Sequence, residues 1–329
     1  MAYRRKLNGI FFAVRGIICN FTPKKQQITT MYTVFHKFRD TFFRAFRRYD
    51  LTRWEGEPEC DKPIYGVYHV YCDKEWQTMV RDQIGRLKES GLYAATTRLF
   101  VSCIMRNTDD LRQLKDIIGE EKMEIISATD DPRRFEYPAL MFMHDRAQRE
   151  DCLFYYFHTK GITYQSAGNS DRKFNAFKRN IEAWRHMMEY SIFFKWRVAV
   201  NVLLAGYDTC GCYRLPPIPQ PYYLYAGNFW WARSSYLRRL PAFDETIFAS
   251  NRFYAEEWLY KAGPKDFSTF DTQADLYFVY MPESLYADKR LPLWEAVKFV
   301  LTYNLRKARK QYLHHDYKAE YQRRYQVLR

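Results

Sequence analysis

"IYGVYHVYCDKEWQTMVRDQIGRLKESGLYAATTRLFVSCIM", Ile64 to Met105, decides the fold. Its first nine residues are a nearly unbroken apolar and aromatic run, as expected of a strand covered on both faces. Residues 75–93 then read as a helix closed by Gly91, and "RLFVSCIM" (98–105) as a second buried strand. Strand, helix and strand in about 40 residues make a βαβ unit, whose two strands run parallel. Downstream, "DDLRQLKDII" (109–118) predicts a short helix and "KMEIISA" (122–128) a third strand. "YPALMFMHDRAQRE" (137–150) predicts a helix with Pro138 in its first turn, and "LFYYFHTKG" (153–161) a fourth strand ending in a polar corner. The expectation is an α/β fold with a mostly parallel sheet flanked by helices, binding ligands beyond the carboxyl ends of its strands.

The second half is less regular. A helical stretch at 174–205 carries Trp184 and Trp196, "YDTCGCY" (207–213) predicts a strand, and residues 220–241 a strand running into a short helix. "RFYAEEWLYKAG" (252–263) predicts a helix closed by Gly263.

The chain has 329 residues and a net charge of +14, which invites a nucleic-acid reading, but the charge is unevenly distributed. Residues 1–62 hold 13 Lys/Arg against 6 Asp/Glu, residues 289–329 hold 11 against 3, and the middle is near neutral at 28 against 29. That pattern predicts three parts: a basic amphipathic N-terminal region with a linker (1–62), a globular domain (63–288) and a basic helical extension (289–329). A near-neutral body argues against nucleic acid as the partner. In the first part helical spacing aligns Ile10, Val14, Ile17, Ile18 and Phe21, and then Met31, Phe35, Phe38, Phe42 and Phe46, with Lys37, Arg44, Arg47 and Arg48 opposite. In the last part it aligns Trp294, Val297, Leu301, Leu305, Ala308 and Tyr312. Such helices either lie in an anionic membrane surface or pack on the body.

No apolar run approaches 18 residues, so no transmembrane helix is expected, and Arg15 interrupts the one stretch resembling a signal peptide. Seven cysteines without a C-x-x-C pair read as reduced thiols in a cytoplasmic protein, soluble or peripheral on the inner face of a membrane.

Several chemistries lose their support because their motifs are missing: no G-x-G-x-x-G follows the first strand, and there is no Walker loop, G-x-S-x-G elbow or H-E-x-x-H. Three constellations remain. In "FHTKG", His158 offers a hydrogen bond or proton, Lys160 a cation for a diphosphate, and Gly161 a close backbone approach. The spacing puts His158 and Lys160 on one side of the strand, although a strand-end histidine also serves structure alone. In "YAGNFWWA", Gly227 and Asn228 permit a tight turn, and Trp230 and Trp231 point to opposite faces. Both rings suit a core, or one stays available to stack on a sugar beside Asn228. Glu256 and Glu257 sit about 100° apart on a helix, so one of them can face a cleft as a general base, or both belong to a solvated face.

These motifs, with "YHVYC", "SGLY", "EYPAL", "AWRHMMEY", "YDTCG" and "RFYAEEW", give the sequence its family resemblance from about Ile64 to Phe270. It resembles a family of glycosyltransferases with the glycosyltransferase-A fold, found in polysaccharide and cell-surface glycan loci and in some large viruses. The resemblance implies a Rossmann-like sheet and transfer of a sugar from a UDP-, GDP- or dTDP-sugar donor to a glycan or lipid-linked acceptor. It implies that the nucleotide lies near Tyr68, His69, Tyr71 and Thr129 to Asp131, with the diphosphate at His158, Lys160 and Gly161. It also makes Glu256, rather than Glu257, the base of an inverting reaction, with Asn228, Trp230, Trp231 and Glu257 on the acceptor side. Where many such enzymes carry Asp-x-Asp for a divalent metal (Mn²⁺ or Mg²⁺), this chain has His158 and Lys160, and Asp130 and Asp131 are the carboxylates left to hold one. The other alternative is a glycan- or nucleotide-sugar-binding module that keeps the fold without the chemistry.

Overall fold

A computed structural model describes residues 44–165, 171–216, 223–242 and 253–325. The predicted βαβ pattern is present. Strands β1 (Ile64–Tyr71), β2 (Arg98–Ile104), β3 (Met123–Thr129) and β4 (Leu153–His158) alternate with helices α1 (Trp76–Glu89), α2 (Thr108–Ile118) and α3 (Tyr137–Arg149). Helix α2 starts at a capping box, in which the Asn107 side chain accepts from the Asp110 amide and Asp110 answers the Asn107 amide.

Three short strands, β5 (Thr209–Gly211), β6 (Trp230–Arg233) and β7 (Asp266–Ser268), complete a seven-stranded sheet in the order β3-β2-β1-β4-β6-β5-β7. Only β6 runs antiparallel to its neighbours, β4 and β5. All other pairs are parallel, so the fold is α/β with a mostly parallel sheet flanked by helices. Strand order reverses at β1, which has β2 and β3 on one side and β4 on the other. A crevice beyond the ends of β1 and β4 is where such sheets take ligands.

Alternation along β1 and β4 divides the core. On one face Tyr65, Val67, Phe154, Tyr156 and Trp230 pack with Leu140, Met143 and Ala147 of α3. On the other, Tyr68 stacks on Phe157 with ring centres 4.2 Å apart, and Tyr155 lies 5.1 Å from Trp231. The helix predicted over 174–205 is two, α4 (Arg172–Glu189) and α5 (Trp196–Leu204), separated by a π-helical turn at Tyr190–Phe194. That turn places Phe193 edge-on to Phe157 and lets the Ile192 carbonyl accept from the Trp231 indole N–H at 2.9 Å.

Phe46 departs from its expected helix. It starts a short strand, Phe46–Arg48, paired antiparallel with Phe270–Thr272, and its buried ring stacks on Phe270 and meets Phe299 edge-on. The rest of the N-terminal Phe stripe, and the helix around Ile10 to Phe21, lie outside the described residues. After the short helices α6 (Ser234–Leu237) and α7 (Tyr254–Trp258), the chain ends in α8 (Leu293–Tyr312) and α9 (Tyr317–Tyr325). Ala296, Phe299, Val300 and Tyr303 bury the inner face of α8, and Tyr317 and Tyr321 of α9 pack on Phe174, Phe177 and Phe278. Among the described residues no helix is long and apolar enough to cross a membrane. Five described cysteines are buried free thiols, and burial pushes those of Cys103 and Cys152 up to about 12, which makes them inert packing groups.

Candidate functional site

The parallel register of β1 and β4 sets His69 directly beside His158 at the carboxyl edge of the sheet. Both imidazoles belong to the face covered by α3, since Tyr65 and Val67 alternate with His69, and Phe154 and Tyr156 with His158. Burial lowers the pKa of His69 to about 4 and also lowers that of His158, so both rings are neutral at pH 7. The nearby charge of Glu136 opposes the shift in both cases.

Glu136 immediately precedes α3, and its carboxylate turns in under the end of the sheet. Its Oε2 accepts from the Tyr156 hydroxyl at 2.8 Å and from the Asn228 amide Nδ2 at 2.6 Å, while its Oε1 stands 4.0 Å from His158 Nε2. Burial works against ionisation, yet the two histidines and these two hydrogen bonds hold its pKa below the usual carboxylate range. In the sequence Glu136 stands in "EYPAL", a pattern that by itself gives it no role. An acidic residue just ahead of a Pro-started helix, following a strand's carboxyl end, was the available signal.

The turn Ala226–Asn228 closes the site. Gly227 has φ +91°, and a Cβ there would lie 2.4 Å from Met188 Sδ and 3.2 Å from Trp184 Cζ2. Asn228 sits in the left-handed region at φ +58° and passes the contact onward, its Oδ1 accepting from the Trp230 indole at 2.8 Å. His158 Nε2 donates to the Gly227 carbonyl at 2.9 Å.

Lys160 does not share the side of His158, because β4 ends at His158 and the chain turns through Thr159. The Thr159 amide follows β1 by donating to the His69 carbonyl at 3.1 Å, and its hydroxyl accepts from the Tyr71 amide at 2.9 Å. Lys160 then lays its ammonium 4.4 Å from the centre of the Trp184 ring and 5.9 Å from that of Tyr277. Gly161 follows at φ +84°, with no room for a Cβ against Ile181.

A second network supports this corner from the opposite face. Gln83 donates to the His158 carbonyl at 3.2 Å and to Glu189 at 2.9 Å, and accepts from the Tyr68 hydroxyl. Glu189 is fully buried and pairs with Arg185 at 2.6 Å and Arg86 at 2.8 Å, and Arg185 also holds Asp82 at 2.6 Å. Asp82, His186 and Glu189 bring three ligand atoms within 4.8 Å of one another. They do not suit a cation, because the Arg185 guanidinium already bridges both carboxylates and would repel it.

The remaining candidates from the sequence scatter. Tyr68 is buried on the far face of the sheet, whereas Tyr71 is partly exposed at the end of β1. Asp130 is exposed past β3, and Asp131 is held by Arg133 at 2.9 Å, which keeps its carboxyl below the usual range. These two aspartates form no ligand cluster with His158 among the described residues. Trp230 and Trp231 do point to opposite faces, but both are buried with partnered indoles, so neither ring offers a face to a sugar. Glu256 and Glu257 are partly buried on α7, whose Tyr254 and Trp258 join the core around Tyr156 and Trp230. Glu257 also accepts from Lys261 at 3.1 Å.

No family model and no curated protein matches the chain. Among solved structures it is similar to a crystal structure from Desulfovibrio desulfuricans G20 described as a "putative nucleotide-diphospho-sugar transferase". The two are 12% identical over 74% of this chain and 98% of that one, with a TM-score of 0.33, too low a likeness to carry fold or function across.

Proposed function

We propose that the chain is a nucleotide-sugar transferase that moves a sugar from a UDP-, GDP- or dTDP-sugar to a glycan or lipid-linked acceptor. The observation that supports this best is Lys160: a cation resting on aromatic rings, beside two positive-φ glycines, at the switch point of a parallel sheet. In this reading Lys160 meets the donor diphosphate, and His69, His158 and Tyr71 line its floor. Glu256 takes the proton of the acceptor hydroxyl as that oxygen attacks the anomeric carbon. The bond from the anomeric carbon to phosphate oxygen breaks, and the nucleoside diphosphate leaves with the electron pair and the charge that Lys160 offsets. Asp130 and Asp131, the carboxylates left for a divalent metal, do not suit one as they stand, because the Arg133 guanidinium already holds both oxygens of Asp131, so in this reading the diphosphate charge falls to Lys160. The buried free thiols support a cytoplasmic location.

Burial of both tryptophans favours one other reading, a non-catalytic binding module, since it removes the expected sugar platform on the acceptor side. One experiment separates the two: thermal shift and turnover with UDP-, GDP- and dTDP-sugars, with and without Mn²⁺, on the wild type, Lys160→Ala and Glu256→Gln. A transferase loses roughly 10- to 100-fold in donor affinity with Lys160→Ala and keeps donor binding but loses turnover with Glu256→Gln. Donor binding without turnover in the wild type assigns the binding module, and no response to any nucleotide-sugar refutes both.

A further inference from the structure

We propose that the outward face of α8 is a docking surface for an anionic lipid bilayer. This inference stands independently of the transferase reading. Helix α8 is apolar on two sides. Its inner side is buried on the body through Ala296, Phe299, Val300 and Tyr303. Its outer side carries Trp294, Leu301, Leu305 and Tyr312, which are 73%, 64%, 55% and 72% exposed. At about 100° per residue these four fall within a sector of about 40°, opposite the buried face. A narrow, continuous stripe of large side chains is more than the scattered surface leucines every protein carries.

Charge complementarity selects the occupant. Helix α8 carries Lys298, Arg306, Lys307, Arg309 and Lys310 against the single acid Glu295. Beside its C-terminal half lies a cavity of about 390 Å³, lined among others by Arg172, Lys173, Arg306, Arg309 and His315. Its acid, Glu320, is already engaged by Lys173 at 3.0 Å and His315 at 3.1 Å. The hydroxyl of Tyr317, another lining residue, is buried without a hydrogen-bond partner. At the same spacing Lys298 and Arg309 stand beside the stripe on one flank, with Arg306 and the basic cavity beyond them, an arrangement that fits acyl chains beneath anionic headgroups. A second protein copy would instead have to bring an acidic, apolar surface, and this chain carries the opposite charge at α8.

The test is co-sedimentation of the full chain with vesicles of phosphatidylcholine alone and of phosphatidylcholine mixed with phosphatidylglycerol. The chain should partition onto the anionic vesicles and be released by salt. Leu301→Ser with Leu305→Ser should lower that partition about tenfold or more, with an unchanged melting temperature because both side chains face solvent. Lys298→Glu with Arg309→Glu should remove the preference for anionic lipid. Failure of the wild type to bind anionic vesicles at low salt overturns the proposal, as does equal binding by the Leu301/Leu305 variant. A dimer that the same two substitutions dissociate, with vesicle binding intact, overturns it in favour of self-association.

Discussion

His69 allows a quantitative test of how the switch point is built. The ring is 4% exposed, lies beside His158 in the strand register, and has Nδ1 3.4 Å from Ser102 Oγ. Burial lowers its pKa to about 4, with His158 pushing the same way and Glu136 the other. In the unfolded chain the ring takes a proton near the ordinary histidine value of 6.5, and in the folded protein only near 4. Between those values the unfolded state binds more protons, so stability falls as pH falls through the window and is fully present above 6.5. Moving one proton site over that interval is worth about 3 kcal/mol, and the group is fully buried, so solvent does not screen it away. Urea unfolding from pH 7.5 to pH 4 should show the wild type losing about 3 kcal/mol more than His69→Gln. His158 contributes in the same direction in both proteins and cancels in the difference. Parallel stability curves for wild type and variant would refute a buried, neutral His69.

Substitutions at Glu136 and Gly227 examine the rest of the corner. Glu136→Ala strands the Tyr156 hydroxyl and the Asn228 amide and should cost about 2–4 kcal/mol. Glu136→Gln keeps an acceptor for both and should stay within about 1 kcal/mol of the wild type; equal losses in chemical denaturation would show that the carboxylate charge, not the hydrogen bonding, carries the effect. Gly227→Ala forces a Cβ to within 2.4 Å of Met188 Sδ at φ +91° and should lower stability by about 2–4 kcal/mol. Adding Met188→Ala removes the clash, so relative to Met188→Ala alone Gly227→Ala should then cost only about 1 kcal/mol. A Gly227→Ala protein that melts with the wild type would exclude the tight packing of this turn.

The first four strands and three helices were legible because each is long enough to show its period, and the polar corner at His158 to Gly161 marks where β4 stops. The short strands were harder. Phe46 fits a helical stripe as well as a strand, and its pairing with Thr272 is a contact across 226 positions that no local pattern contains. The break at Tyr190–Phe194 was hidden because a π turn widens the hydrogen-bonded ring by one residue, a phase shift too local to interrupt an apolar run that continues through it. At the site, His158, Lys160, Gly161 and Asn228 were legible as unusual residue types in apolar surroundings. Glu136, Gln83 and Glu189 were not, since each depends on at least one partner 75 or more residues away: Asn228 for Glu136, His158 for Gln83, and Gln83 and Arg86 for Glu189. Trp230 and Trp231 show the limit of type alone: alternation gave their opposite faces, but only the packing of α3 against one face and the 190–194 turn against the other buries both.

The corner's missing Asp-x-Asp has a physical counterpart in how its charges are held. Among the described residues, the carboxylate turned in beneath the β1 and β4 ends, Glu136, is occupied by Tyr156 and Asn228 and fixes the turn instead of facing outward. The buried acid on the opposite face, Glu189, is matched by Arg185 and Arg86. Lys160 is treated differently, since no carboxylate pairs with it among the described residues and it is positioned by the faces of Trp184 and Tyr277. A salt bridge would place an ammonium equally well but neutralise it. Aromatic faces place it and leave the full charge for an incoming anion, at a cost in stability smaller than that of burying an unpaired cation. With His69 and His158 both neutral, the two rings add no second cation beside Lys160, and the Glu136 charge is held beneath them by Tyr156 and Asn228. The arrangement therefore places the positive charge on one side chain at the point where the sheet's strand order reverses, which is why Lys160 is the residue whose removal most directly tests donor binding.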